Sequence, residues 1–95
     1  METKHVSIVL PTYNEKDNIE ELLRQVYHYA GNDLLEVIVV DDNSRDGTGD
    51  IVKRLMKEYK SLRLVTRQNE KGLASAVWRG IQESKGSIII WMDGD

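Results

Sequence analysis

Four short apolar runs, each ending in a cluster of polar residues, recur along the chain with helix-patterned stretches between them. Val6 to Leu10 runs into Pro11-Thr12-Tyr13-Asn14-Glu15, and Val37 to Val40 into Asp41-Asp42-Asn43-Ser44. Leu62 to Val65 leads to Thr66-Arg67-Gln68-Asn69, and Ser87 to Trp91 leads to Asp93-Gly94-Asp95. Alternation of strand and helix with short connections builds βαβ units, whose crossovers are almost always right-handed. In an open parallel sheet every strand points its carboxyl end the same way, so clusters far apart in sequence converge on one crevice.

The stretches between the strands support this. Ile19, Leu22, Leu23, Val26 and Ala30 fall at helical spacing within 18–30, with Asp17 as the expected cap. Ile51, Val52, Leu55, Met56 and Tyr59 form a second stripe in a helix that Thr48 can cap, and a third helix runs from about Leu73 to Ser84, with Gly86 where a helix C-terminal glycine belongs. The second strand is apolar on both faces, as a parallel strand covered by helices should be. The expected fold is α/β, a doubly wound, Rossmann-like open parallel sheet of strand order 3-2-1-4 with three helices. Its switch point falls between strands one and four, which sets Pro11 to Glu15 opposite Asp93 to Asp95.

Composition bounds the rest. With 95 residues, 40% of them hydrophobic, there is material for one core, so a single domain spanning 1–95 is expected. The net charge of -3 and the dispersed Lys and Arg argue against a nucleic-acid surface. No apolar run approaches the roughly 20 residues of a membrane span. The absence of cysteine removes disulfides and thiolate metal sites, and the opening Met-Glu-Thr-Lys-His has no apolar h-region, which makes the cytoplasm the expected compartment.

The first cluster has neither the glycine pattern that admits a dinucleotide pyrophosphate nor the Walker pattern that wraps phosphates. Tyr13 can lie against a planar base and Glu15 can accept from sugar hydroxyls, although Pro11 can equally serve only to end the strand while Asn14 and Glu15 begin the helix. Asp41 and Asp42 can accept from a base N–H or a ribose hydroxyl, or can make the Asx turns typical of an Asp/Asn/Ser/Gly loop. We expect Asp46, Gly47 and Thr48 to shape that turn while one aspartate of the pair faces ligand. Asp93 and Asp95, flanking a glycine at the end of a buried strand, offer hard oxygen ligands to Mg²⁺ or Mn²⁺ on a nucleotide diphosphate. A crevice gathering Asp41, Asp42, Asp93 and Asp95 would need a cation to offset their repulsion. Lys71, before Gly72 and a helix N-terminus, is the best placed cation for phosphates; Arg67 and Arg79 read more naturally as solvated side chains.

Val-Leu-Pro-Thr-Tyr-Asn-Glu at 9–15, Val-Val-Asp-Asp-Asn-Ser at 39–44 followed by Asp46-Gly47-Thr48, Lys71-Gly72-Leu73-Ala74, and Met-Asp-Gly-Asp at 92–95 together resemble family 2 inverting glycosyltransferases of the GT-A fold. Within these the pattern is most similar to dolichyl- or polyprenyl-phosphate mannose synthases. The resemblance implies that Pro11, Tyr13 and Glu15 frame the nucleoside, that Val40 and Asp42 contact base or ribose, and that Asp93 with Asp95 holds the divalent cation on the donor diphosphate. It further implies attack of an acceptor oxygen on the anomeric carbon opposite the departing nucleoside diphosphate, whose charge the metal neutralises. Arg45 stands where many relatives have proline. Acceptor-site and further diphosphate-binding elements follow the Asp-x-Asp motif in that family, so the resemblance implies a donor-binding half without efficient transfer, taking a GDP- or UDP-linked sugar.

Two other readings stand beside it. An acid pair after a strand occurs in metal-dependent phosphotransfer or receiver-type domains, but here it follows strand two, and no lysine follows a later strand as a phosphate partner. A structural half-fold that self-associates is the other, because Ile88, Ile89 and Ile90 would lie on an uncovered edge strand; a homodimer through strand four or the uncovered sheet face is expected.

Overall fold

A computed structural model describes residues 4–93. The chain runs β1 (Val6–Thr12), α1 (Ile19–Tyr29), β2 (Leu34–Asp41), α2 (Thr48–Met56), β3 (Leu62–Thr66), α3 (Leu73–Glu83) and β4 (Ile88–Trp91). The strands form one parallel sheet of order β3-β2-β1-β4, the doubly wound arrangement expected from the alternation. No helix among the described residues is long and apolar enough to cross a membrane.

The two sheet faces are covered unequally. Helices α1 and α2 bury Ile19, Leu23, Val26, Val52 and Leu55 against Ile8, Leu10, Val37, Val39 and Leu62, forming the main core. On the opposite face α3 alone covers Val9, Ile38 and Val40, with Ala76 pressed against them. Among the described residues strand β4 pairs only with β1, from Val6↔Ile88 to Val9↔Trp91, and Ile88, Ile89, Ile90 and Trp91 are all exposed.

Local chemistry departs from expectation at three helix ends. Asp17 does not cap α1: the Glu15 carbonyl accepts from Asn18 N–H at 3.0 Å and Ile19 N–H at 2.8 Å, so a backbone turn starts the helix and no side-chain cap forms. Thr48 is the first residue of α2 rather than its cap; Gly47 takes that position in the left-handed region, and Asp46 Oδ1 accepts the Thr48 N–H at 3.0 Å. Gly86 is not a left-handed helix terminator either. Ser84 ends α3 in extended backbone, and Gly86 is there for close approach, because a Cβ would meet the His5 carbonyl at 2.5 Å and Ser7 Oγ at 2.6 Å. Its N–H donates to Ser7 Oγ at 2.9 Å.

Candidate functional site

The loops after β1 and β2 are fastened side by side at the carboxyl end of the sheet. Asn14 N–H donates to Ser44 Oγ at 2.8 Å, Arg45 N–H to Asn14 Oδ1 at 3.2 Å, Glu15 N–H to Thr48 Oγ1 at 2.9 Å and Lys16 N–H to Asp46 Oδ2 at 3.0 Å. Asn14 and Asn43 adopt positive φ, a conformation asparagine tolerates better than most residues. Each of these donors would otherwise be a loop N–H relying on solvent, so the lacing holds the rim of the crevice in one shape.

Beside this rim lies a cavity of about 530 Å³ lined by Pro11, Thr12, Tyr13, Glu15, Asp42, Lys71, Gly72, Leu73, Ala76 and Asp93. The structure therefore brings together the three first-loop residues, Asp42, Lys71 and Asp93. Tyr13 presents 58% of its surface and Leu73 48%, so an aromatic and an aliphatic side chain stand uncovered at the mouth. Val40 does not join them: it is fully buried beneath α3 with Val9, Ile38 and Ala76, and supports the floor from below. Asp95 lies outside the described residues.

The aspartate pair divides its work. Asp41 is buried and turned into its own loop, accepting from Thr12 Oγ1 at 2.7 Å, Ser44 N–H at 2.8 Å and Ser44 Oγ at 2.6 Å. Asp42 faces the cavity and is gripped by Arg67, whose Nε donates to Oδ1 at 2.6 Å and Nη2 to Oδ2 at 2.9 Å. This corrects the expectation of four mutually repelling carboxylates, since one is spent in a turn and another is neutralised by a guanidinium. Both aspartates of the pair have protein partners, so the pair lends no support to the receiver-type arrangement.

Arg67 was the residue least legible in the sequence. Rather than being solvated it is 3% exposed, and its Nη1 donates to Ser75 Oγ at 2.9 Å while Nη2 also reaches the Gly72 carbonyl at 3.2 Å. Hydrogen bonding to Asp42 pushes its pKa still higher, against the opposing effect of burial, so the cation persists at any working pH. A signal for it existed: Arg63 and Val65 on β3 stand beside Ile38 and Val40 on β2, and Arg67 and Asp42, each one residue past its strand, continue the same alternation.

The donor set suits a hard divalent ion. Asp93 places a carboxylate on the cavity wall, and Mg²⁺ or Mn²⁺ is commonly held by one or two carboxylates, waters and phosphate oxygens rather than by a full protein cage. No group of three or more His, Cys, Asp or Glu side chains placed to hold a metal ion is found among the described residues. A larger depression of about 900 Å³ on the outer surface of α1 is shallow, and Arg24 within it is paired with Glu20 at 3.1 Å.

An open parallel sheet with acids, a tyrosine and a lysine gathered at its switch point defines an α/β domain of the GT-A kind. Residues 7–95 match the family described as Glycosyl transferase family 2, and the chain belongs to that family. It is 40% identical over 90 residues to a dolichol-phosphate mannosyltransferase of Pyrococcus furiosus, covering 95% of this chain and 25% of that protein. To the dolichol-phosphate mannosyltransferase of Saccharomyces cerevisiae it is 38% identical over 92 residues, covering 94% and 34%. Among solved structures, the mannosyltransferase PcManGT from Pyrobaculum calidifontis in complex with GDP-Man and Mn²⁺ superimposes with a TM-score of 0.87 at 35% identity, covering 100% of this chain and 28% of that one. TarS 1-349 of S. aureus in complex with UDP-GlcNAc gives 0.84 at 28% identity, covering 96% and 26%. The chain thus spans about a quarter to a third of the length of these proteins.

Proposed function

We propose that this chain is the donor-binding part of a glycosyltransferase that takes a GDP- or UDP-linked sugar with Mg²⁺ or Mn²⁺, and that the whole enzyme transfers mannose or another hexose to a polyprenyl phosphate. The observation carrying this reading is the Asp42 carboxylate, held by Arg67 and turned into the cavity that Pro11, Tyr13, Glu15, Lys71 and Asp93 also line. In this reading Tyr13 and Pro11 pack on the base, Asp42 accepts from a base N–H or ribose hydroxyl, and Glu15 accepts from the sugar hydroxyls. Lys71 and the start of α3 face the diphosphate, where the helix dipole favours an anion. Asp93, with Asp95, would hold the divalent ion, which supplies neutralisation of charge on the departing diphosphate. The mannosyl donor and lipid acceptor are supported by the relatives described above, both dolichol-phosphate mannosyltransferases.

Calorimetric titration of GDP and of UDP, each with and without Mn²⁺, tests the reading. Metal-dependent binding that Asp93→Ala abolishes supports it, and the preferred base identifies the donor. Absence of heat with both nucleotides from folded protein contradicts it. We also propose that the chain forms a homodimer through β4, whose exposed Ile88 to Trp91 present a free apolar edge; a monomer mass from light scattering at tens of micromolar contradicts that.

A further inference from the structure

We propose that Arg67 is a positioning residue that couples the two halves of the crevice, holding the nucleoside-side carboxylate of Asp42 and the phosphate-side turn at Lys71–Gly72 with one guanidinium. This deepens the donor-site reading above and rests on it. Arginine is suited to the task because its donors form a rigid planar fork. Nε and Nη2 take the two oxygens of Asp42 at 2.6 and 2.9 Å, and on the other side Nη1 and Nη2 take Ser75 Oγ at 2.9 Å and the Gly72 carbonyl at 3.2 Å. The backbone N–H of Arg67 donates to the Asp41 carbonyl at 2.8 Å, which ties the fork itself to the end of β2. With 1% of its side chain exposed, water does not compete for these bonds.

The turn on the phosphate side depends on this support. Gly72 sits at φ 110 and ψ 145, a conformation open essentially to glycine alone, and its carbonyl accepts from Arg67 Nη2, from Ser75 Oγ at 3.2 Å and from Ala76 N–H at 3.0 Å. Asp42 keeps outward lone pairs after Arg67 has taken one on each oxygen, so a ligand donor can still bind there. A ligand that spans both halves therefore meets a base acceptor and a phosphate turn already fixed relative to each other, and the ordering cost of binding falls accordingly. Lysine at this position would keep the charge and lose the fork.

The test compares the 95-residue chain with Arg67→Lys and Ser75→Ala, using guanosine and uridine as probes without phosphate, and GDP and UDP with Mn²⁺. In the unsubstituted chain, nucleoside is expected to shift the amide resonances of Ser75 and Val77, neither of which lines the cavity, together with those of Tyr13 and Asp42. In Arg67→Lys the Tyr13 and Asp42 shifts persist, the Ser75 and Val77 shifts disappear, and nucleoside diphosphate binds about tenfold more weakly or worse. Equal diphosphate affinity in Arg67→Lys, or undiminished transmission to Ser75 and Val77, overturns the proposal. Should Arg67→Lys fail to fold, Ser75→Ala decides: loss of at least half the Val77 response with the Asp42 response intact supports coupling, and an unchanged Val77 response overturns it. If the unsubstituted chain binds neither nucleoside nor diphosphate, the donor-site reading itself has failed, which is a different result from failed coupling.

Discussion

Two arginine clamps fasten α3 to the sheet, one at each end, and they are built the opposite way round. At the amino end of the sheet Arg63 Nη1 donates to Glu36 Oε1 at 2.8 Å and to the Glu83 carbonyl at 2.8 Å; at the carboxyl end Arg67 joins Asp42 to Gly72 and Ser75. In the first the acid is the buried partner, with side-chain exposures of 33% for Arg63 and 6% for Glu36. In the second the arginine is buried at 1% and the acid shows 12%. Glu36 also accepts from Ser7 Oγ at 2.7 Å and Lys85 N–H at 2.6 Å, so its lone pairs are taken by protein. Among the described side chains Asp42 meets only Arg67, and its open side lies on the cavity. Identical ion-pair chemistry is thus scaffold where the acid points inward, and leaves a carboxylate face open to the cavity, the proposed ligand site, where it points outward.

The largest disturbance is one that loosens both clamps together. Gly80 lies between them on α3, where a Cβ would collide with Val9 Cγ1 on β1. Gly80→Val should lift α3 from the sheet and cost about 3 kcal/mol of stability, read as a lowered urea midpoint with nucleotide binding lost in parallel. A stable Gly80→Val protein that still binds nucleotide would mean that α3 is not the common support. Next comes Arg63→Met, which keeps the aliphatic stem but takes a partner from a buried carboxylate. We expect a loss of about 2 kcal/mol in stability, while nucleotide affinity, measured by calorimetry, changes by less than about twofold.

The mirror-image substitution should separate affinity from stability. Asp42→Asn leaves Arg67 one good acceptor in place of two and removes the charge at the cavity wall. Affinity for GDP or UDP should fall about tenfold, near 1.4 kcal/mol, in the same calorimetric assay that leaves Arg63→Met almost unaffected. Equal losses of affinity in the two variants would erase the distinction between the ends of the sheet.

The strand order and the crevice were readable because they follow from periodicity and connection rules that act over short stretches. Acidic loop residues were readable only as a group. Asp41 and Asp42 are adjacent in sequence, so pleating sends them opposite ways, and which of the two enters the turn depends on Thr12 and Ser44 being in place to receive Asp41. Arg67 was hidden because its burial depends on three elements at once, β2, β3 and the start of α3. Val40, to which the resemblance gives a contact with base or ribose, has its side chain packed under α3 and does not line the cavity. Gly86 illustrates the same limit: its position after a helix looked like a terminator, while its actual requirement comes from Ser7 and His5, some eighty residues earlier.

The smallest effect concerns pH and again separates the clamps. Burial by itself would push the Glu36 carboxyl up, but hydrogen bonds from Lys85 N–H, Ser7 Oγ and Arg63 outweigh it and hold the pKa below the ordinary glutamate value. A carboxyl whose folded pKa is depressed adds stability that is fully present above its unfolded pKa, about 4.3 for glutamate. That stability drains away as pH falls through the lower folded value, because the unfolded chain takes up the proton first. Glu20 and Glu58 are lowered as well through their bonds to surface arginines, so acid should weaken the protein through several groups of the same sign. Glu36→Gln removes one of them: its stability should fall less steeply between neutral pH and the acid limb than that of the unsubstituted chain, as measured by urea midpoints at stepped pH. An unchanged slope would mean that Glu36 is held no more tightly in the fold than in the open chain, and the amino-end clamp would then owe its strength to the bonds of Arg63 with the Glu83 carbonyl and carboxylate.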